Sequence, residues 1–299
     1  MRKILLVAFS IIITGIAQAQ EDEEQDTIPN GWQTEGNVQL LFNQSAFNAE
    51  WTGGGTSSIA ANLSFNYDFN YTKDNFSWNN SILANYGITK VKGDNFPRKT
   101  SDRLELNSIA GLEIQESGFF YSYFLNFRTQ IDKGYKFGED AATGEVTRTE
   151  TTHFLSPAYL QTGPGIMYKK NENLILNLAP ATARFIFVDP DFTTGPNYDD
   201  GQYFGVDNGK SSRFELGASF SALANFQLLE NVMMDNSLNL YSNYLDKPGN
   251  IDIDYLMNLE MGINDFLSAN LLFQAVYDDN AVAAFQIREV FGLGINYGF

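Results

Sequence analysis

The chain has no cysteine, a single histidine, about half as many basic as acidic residues, and no apolar run outside its amino terminus long enough to cross a bilayer as a helix. Without cysteine there is neither a lipid-acylated thiol nor a disulfide framework. A formal net charge of −17 argues against a general nucleic-acid partner. The lone His153 sits in Thr151-Thr152-His153-Phe154-Leu155-Ser156. A Ser–His pair needs the hydroxyl within hydrogen-bond reach of the imidazole, and opposite parity in one regular strand would send these two side chains to opposite faces. There is no G-x-S-x-G elbow, zinc-ligand spacing or phosphate-binding glycine loop. These absences argue against an enzyme, a cofactor or a metal centre.

The amino terminus reads as an export signal. Arg2 and Lys3 precede the apolar run Ile4 to Ile16, and Ala17-Gln18-Ala19 is a small-x-small cleavage site. The run falls short of the about 20 apolar residues a membrane helix requires. The expected organisation is a signal peptide at 1–19, an acidic leader at 20–31 containing Glu21 to Asp26, and one domain at 32–299.

That domain is rich in alternation. From Ser57 to Tyr71, Ile59, Ala61, Leu63, Phe65, Tyr67, Phe69 and Tyr71 alternate with small or polar residues. Period two is the repeat of a strand with two different faces. Ordinary strands run about 5–6 residues, whereas a tilted strand crossing a bilayer needs about 9–11. Aromatics at 14% fit a barrel whose strands alternate lipid-facing with polar side chains. The pattern recurs at Val38–Phe42, Phe76–Ile88, Leu104–Ile114, Phe119–Ile131, Phe154–Tyr168, Leu174–Val188, Phe214–Phe226, Val232–Tyr244, Ile251–Ile263, Leu267–Tyr277 and Phe291–Phe299. The expectation is an all-β, transmembrane antiparallel β-barrel of about 12 strands. A soluble all-β protein would leave these aromatic faces uncovered.

Connection lengths set the orientation. Thr72–Asn75, Glu116–Gly118, Lys169–Asn173, Leu229–Asn231 and Asn264–Asp265 read as tight turns. Between them fall the longer Asn43–Thr56, Val91–Asp102, Asp132–Thr152 and Asp189–Ser211, with Asp246–Asn250 and Asp278–Ala283 as shorter members of the same set. Short periplasmic turns alternating with longer external loops place both termini in the periplasm and the barrel in the lipid of the outer membrane. Asp189, Asp191, Asp199, Asp200 and Asp207 crowd one external loop and match no calcium-loop spacing, so they read as solvated acids.

The final strand alternates to its last residue. Phe299, Tyr297 and Gly294 resemble the carboxyl-terminal signal of bacterial outer-membrane barrels, which implies the barrel-assembly machinery as a partner during biogenesis through strand addition. Gly292 stands where that signal usually carries a polar residue. Across the chain, Trp51-Thr52-Gly53-Gly54 with Ser57, Ser101-Asp102-Arg103-Leu104, Thr129-Gln130 with Gly134-Tyr135, Phe154 to Tyr159, and Tyr241-Ser242-Asn243-Tyr244 resemble an uncharacterised Bacteroidota barrel family of unknown function, number 3078. That resemblance implies a Gram-negative outer membrane and brings no substrate.

Three groups of residues stand out as candidate sites. Pro157, Pro164 and Pro180 interrupt two strands; a one-residue bulge near Pro180 would return Phe185 and Phe187 to the face of Leu174, Leu176 and Leu178 and turn Arg184 inward. Barrel curvature explains that, and so would a seam opening sideways to release apolar compounds. Arg103, Glu105, Arg128, Arg213, Glu215 and Arg288, with Asp252 and Asp254, have inward parity and cluster toward the external ends of their strands. They suit either the constriction of a narrow channel for small solutes or an ion-pair plug in a scaffold barrel. Pairing about the Ser117 turn puts Arg128 beside Leu106, within reach of Glu105. Finally, Trp51 beside Gly53, Gly54 and Gly55 is a candidate loop contact for a docked partner.

Overall fold

A computed structural model describes residues 30–48, 50, 52–195 and 198–299. The expected signal peptide, most of the acidic leader and Trp51 lie outside the described residues. The strands are β1 (Gly31–Ser45), β2 (Ser58–Lys73), β3 (Phe76–Val91), β4 (Arg98–Glu113), β5 (Phe119–Thr129), β6 (Gly134–Glu139), β7 (Val146–Thr152), β8 (Ala158–Asn171), β9 (Leu174–Phe187), β10 (Ser212–Leu229), β11 (Val232–Asn243), β12 (Ile251–Gly262), β13 (Leu267–Asp278) and β14 (Val282–Gly298). Twelve of them form one closed barrel in the ring order β1-β14-β13-β12-β11-β10-β9-β8-β5-β4-β3-β2, while β6 and β7 make a separate hairpin. Neighbours pair antiparallel around the whole ring, and β1 closes it against β14 with Leu41 opposite Gly294. Among the described residues no helix is long and apolar enough to cross a membrane, which says nothing of strands.

The period-two pattern becomes two concentric surfaces. Leu63, Tyr121, Tyr123, Leu178, Phe214, Phe291 and Leu293 are exposed on the outside. Large apolar side chains left bare in a continuous band are a surface built for lipid. At the short-turn end Trp32 lies 5.2 Å from Tyr71 and 5.7 Å from Trp78, ring centre to ring centre, and Phe119 lies 4.9 Å from Tyr168. Closure is reinforced beyond the end of β14. Gly36 and Phe299 exchange both backbone hydrogen bonds, at 2.8 and 2.9 Å. A methyl group on Gly36 would sit 2.5 Å from the Phe299 ring, so glycine is what lets that ring lie flat on β1.

Three expectations are revised. The stretch read as the loop Asp132–Thr152 holds the β6–β7 hairpin, with Tyr135 opposite Glu150. The cause is stacking: the Arg148 guanidinium lies 4.4 Å from the Tyr135 ring centre and 4.6 Å from that of Phe96, giving these two short strands a shared face. The last strand starts at Val282, nine residues before Phe291, because polar Gln286, Arg288 and Glu289 interrupt its apolar pattern. The strand expected from Phe154 begins at Ala158, since His153 and Ser156 close a tight turn by exchanging backbone hydrogen bonds. His153 and Ser156 therefore do not share a regular strand. In the acidic loop before β10, Asp191, Asp199, Asp200 and Asp207 are exposed and Asp189 is half-buried.

Pro180 marks a register shift. Gly217 and Ser219 of β10 face Thr182 and Ala179 of β9, so β9 carries one extra residue there. Burial follows the change: Ile175, Asn177 and Ala179 are buried below it, and Thr182, Arg184 and Ile186 above it. Pro180 falls within the bulge, where a ladder donor is dispensable.

Candidate functional site in the barrel lumen

Inward parity in the long-loop half of the barrel collects arginine and carboxylate side chains from strands far apart in sequence. Glu105 stands directly opposite Arg128 in the β4–β5 ladder, one residue from the expected register, in which Arg128 faced Leu106. The two do not form an ion pair. Glu105 instead accepts from Arg103 Nε at 2.6 Å and from Asn126 at 2.6 Å. Arg103 and Arg128 both reach Asp254, Arg103 Nη1 at 2.8 Å, and Gln274 donates to its second oxygen at 3.2 Å. β4 and β12 stand six places apart in the ring of twelve, on opposite walls. The Arg103–Asp254–Arg128 bridge therefore crosses the lumen.

A second set lies beside it. Arg184, 2% exposed, is held by Asp252, by Asp278 at 3.4 Å and by Glu215 at 3.7 Å. Its guanidinium also lies 4.7 Å from the Tyr241 ring centre and 5.1 Å from that of Tyr159, while Arg128 lies 4.8 Å from Tyr159. Tyr159 is thus flanked by two cations, and the rings supply the face charge that a buried guanidinium favours. Arg213 contacts Glu215 at 2.8 Å and Asp246 at 3.1 Å, and donates to the Gly205 carbonyl at 2.9 Å. Arg288 on β14 is the exception. Its closest acceptor is the Thr100 carbonyl at 3.5 Å.

The loop between β9 and β10 folds back over this network. Val206 is fully buried and packs with Tyr159, Ile186 and Val188, joined by Tyr203 and Phe204. Burial pushes the Tyr203 phenol up to about 12, so it remains a donor and gives a 2.7 Å hydrogen bond to the Thr151 carbonyl. Positive φ at Phe204 and at Gly201, Gly205 and Gly209 makes the reversals that bring the apolar segment inward. The aspartates are partly structural: Asp189 caps a short 3-10 turn at Asp191, and Asp200 accepts from the Asn208 backbone at 2.8 Å. The apolar core inside this acidic loop was the signal that sequence reading passed over. Beneath the folded loop lies a cavity of about 430 Å³, with Arg103, Arg128, Asp254 and Arg288 in its lining beside Tyr159 and Phe204.

The other candidate residues lie elsewhere. His153 places Nδ1 at 2.9 Å from Glu150 and Nε2 at 3.3 Å from Asp189, while the buried Ser156 Oγ accepts from the Asp189 backbone at 2.9 Å. The carboxyl of Glu150 is held below its ordinary range by hydrogen bonds from Lys133 and His153. Pro157 accepts from Thr129 at 3.1 Å, Pro164 stands opposite Tyr123 in the β5–β8 ladder, and the Pro180 carbonyl accepts from the Tyr244 hydroxyl at 3.0 Å. Between β8 and β9 the backbones are in close contact: a methyl group on Gly163 would lie 2.4 Å from the Ala181 carbonyl oxygen, and one on Gly165 2.6 Å from that of Leu178. Thr182 bonds Ser219 at 2.9 Å across the neighbouring seam. The carboxylates of Asp252, Asp278 and Asp279 lie within 4.8 Å of one another, with Arg184 on the first two and Asn250 on the third.

The short-turn half of the lumen is different in kind. Gln39 bonds Asn270 at 3.0 Å, Ser122 bonds Asn177 at 2.7 Å, and Lys169 contacts Asn79 and Glu172, each at 2.8 Å. Amides and hydroxyls there bond one another at short range, and among the described residues this half shows none of the wall-to-wall ion pairs of the other.

A closed antiparallel twelve-strand barrel with a charged lumen is the class that fold and site define. A family described as Protein of unknown function (DUF3078) matches residues 42–135. The chain is similar in fold to the COG4313 outer membrane channel from Pseudomonas putida F1, at 11% identity and a TM-score of 0.39, over 93% of this chain and 98% of that one. It is similar also to the translocator domain of the autotransporter NalP from Neisseria meningitidis, at 9% identity and a TM-score of 0.35, over 98% of this chain and 97% of that one. A third likeness is to outer membrane phospholipase A from Escherichia coli, at 11% identity and a TM-score of 0.36, over 92% of this chain and 94% of that one. No curated protein sequence matches the chain.

Proposed function

We propose that this protein is a barrel of a Gram-negative outer membrane that passes small solutes through a narrow lumen, with the Arg103–Asp254–Arg128 bridge as its constriction. The observation that carries the reading is the cavity of about 430 Å³ that stands on that bridge. A plug that only filled space would close over its own charges, whereas this one leaves a charged vestibule beneath a folded loop. Mixed charges around a narrow opening select solutes by sign as well as by size. The exposed aromatic band supports the membrane address, and the alternation of short turns with long loops supports periplasmic termini. Cleavage after Ala19 and delivery to the assembly machinery through Gly294, Tyr297 and Phe299 complete the proposal. The packing of Phe299 on Gly36 gives that terminal aromatic a role in closing the ring.

A second reading has an observation of its own. Ion pairs between opposite walls brace a barrel, so the same bridge suits a filled scaffold that docks a partner through its loops. Single-channel recording of the purified barrel in a planar bilayer separates the two. Steady conductance whose charge selectivity shifts on Arg128→Ala supports the channel. A barrel that stays silent at every voltage supports the scaffold.

A further inference from the structure

Among the described residues, four of the five lumen arginines have carboxylate partners: Arg103 and Arg128 share Asp254, Arg184 has three acids, and Arg213 has two. Arg288 has none. Its Nε is buried without a hydrogen-bond partner, and its single hydrogen bond to Thr100 is at the outer limit of length. Arg288 is half-buried, and a guanidinium partly withdrawn from water favours a paired or hydrogen-bonded partner. Of the three arginines that line the cavity, Arg103 and Arg128 are paired with Glu105 and Asp254, and Arg288 is the one without an acid of its own. Other acids of the vestibule are committed elsewhere. Asp102 is held by Lys99 at 2.5 Å and by the backbone of Ile131 and Asp132, and Asp278 is held by Arg184.

We infer that the vestibule is a binding site for a small organic monocarboxylate, with Arg288 holding the carboxylate and Tyr159, Phe204, Val276 and Val282 receiving its apolar body. A guanidinium with no acid of its own and an unpartnered Nε calls for an anionic partner. The fork of N–H groups on a guanidinium matches the two oxygens of a carboxylate. The volume falls in the range of small-molecule sites, which are mostly apolar with a few placed polar groups. Bare inorganic anions would leave that apolar lining wet. The inference deepens the channel reading by naming a solute class, yet binding at Arg288 does not depend on conduction.

Ligand-observed NMR on the full-length barrel in a nonionic detergent tests it, with benzoate and benzylamine as probes of the same ring and opposite charge. Benzoate is expected to bind at least tenfold more tightly than benzylamine. Arg288→Met is expected to weaken benzoate at least tenfold, and Arg288→Lys, which keeps the charge without the fork, to fall between. Shifted mobility on an unheated gel establishes that each variant is folded; should Arg288→Met not fold, the comparison of the two probes on the natural protein decides alone. Equal binding of the two probes would overturn the inference, as would unchanged benzoate affinity in a folded Arg288→Met barrel. Inorganic phosphate that binds more tightly than benzoate would overturn the apolar-body assignment. A barrel that conducts without binding benzoate refutes this site and leaves the channel standing. One that binds benzoate without conducting does the reverse.

Discussion

Replacing Asp254 with alanine removes the one carboxylate that holds both walls of the lumen together. Its side chain is 8% exposed and accepts from Arg103 at 2.8 Å, from Arg128 and from Gln274 at 3.2 Å. Removing one partner of a buried ion pair costs about 3–5 kcal/mol, because the remaining charge is left uncompensated. Here two guanidiniums lose their acid and Glu105 remains for one of them. The cavity on one side of the bridge admits water, which places the effect near 3 kcal/mol rather than above it. The cheapest relaxation is for Arg103 and Arg128 to swing apart toward the vestibule, and that motion opens the constriction. Asp254→Ala is therefore expected to raise single-channel conductance severalfold in a planar bilayer and to shift selectivity toward anions. Asp254→Asn keeps the shape and one acceptor, so it should lie between the variant and the natural protein. Conductance and selectivity both unchanged in a folded Asp254→Ala barrel would refute the bridge as the constriction.

The β8–β9 contact predicts that Gly163→Ala lowers stability by about 1–3 kcal/mol, since the new methyl meets a backbone carbonyl that cannot move aside as a side chain can; retained resistance to denaturation, read by the heat at which the unheated-gel mobility is lost, would show that the strands separate freely there. The β6–β7 hairpin predicts a pH dependence of defined sign. Glu150 is held below its ordinary range by Lys133 and then His153, and Asp132 by the Lys133 backbone N–H and then the Tyr86 phenol. Depressed carboxylates add stability that is complete above their unfolded pKa, about 4, and is lost as pH falls through the folded value. Amide exchange in β6 and β7 should therefore accelerate relative to the barrel strands below about pH 4, and exchange that keeps a constant ratio to β4 and β5 down to pH 3 would contradict it.

Much of the barrel is legible in the sequence because a membrane strand obeys one rule over its whole length. Side chains alternate between lipid and lumen, so parity places Asn62, Ser64, Asn66 and Asp68 inside, and the β2 ladder sets Asn62 and Ser64 opposite the buried Leu41 and Gln39 of β1. Parity also located the bulge at Pro180, since an extra residue is the only way Leu178 and Phe185 can share a face. What escaped was structure held by something other than alternation. The β6–β7 hairpin rests on arginine–aromatic stacking between Arg148, Tyr135 and Phe96. The loop before β10 rests on Tyr203, Phe204 and Val206, a short apolar core hidden among aspartates.

The site was legible as a set of residues and illegible as a set of pairs. Inward parity and position along the strand brought Arg103, Glu105, Arg128, Arg213, Glu215 and Arg288 to one level, but the natural guess joins neighbours in a hairpin. Glu105 and Arg128 are such neighbours, and they choose other partners. The reason is geometric. Facing side chains on adjacent strands both point at the barrel axis, where a long arginine reaches the opposite wall as readily as its neighbour. In a barrel of twelve strands the width of the lumen thus becomes a variable of side-chain length: arginine from β4 and β5 spans it to a short aspartate on β12, and lysine at Arg103 would have a single ammonium to divide between Glu105 and Asp254. Partner choice in such a lumen is set by the ring order of the strands, which no local window of sequence contains. The same circumstance isolates Arg288. It stands two strands from β12 around the ring, yet Asp254 is already engaged by Arg103, Arg128 and Gln274. That isolation is a property of the closed barrel rather than of β14, and Arg288 lines a cavity of about 430 Å³.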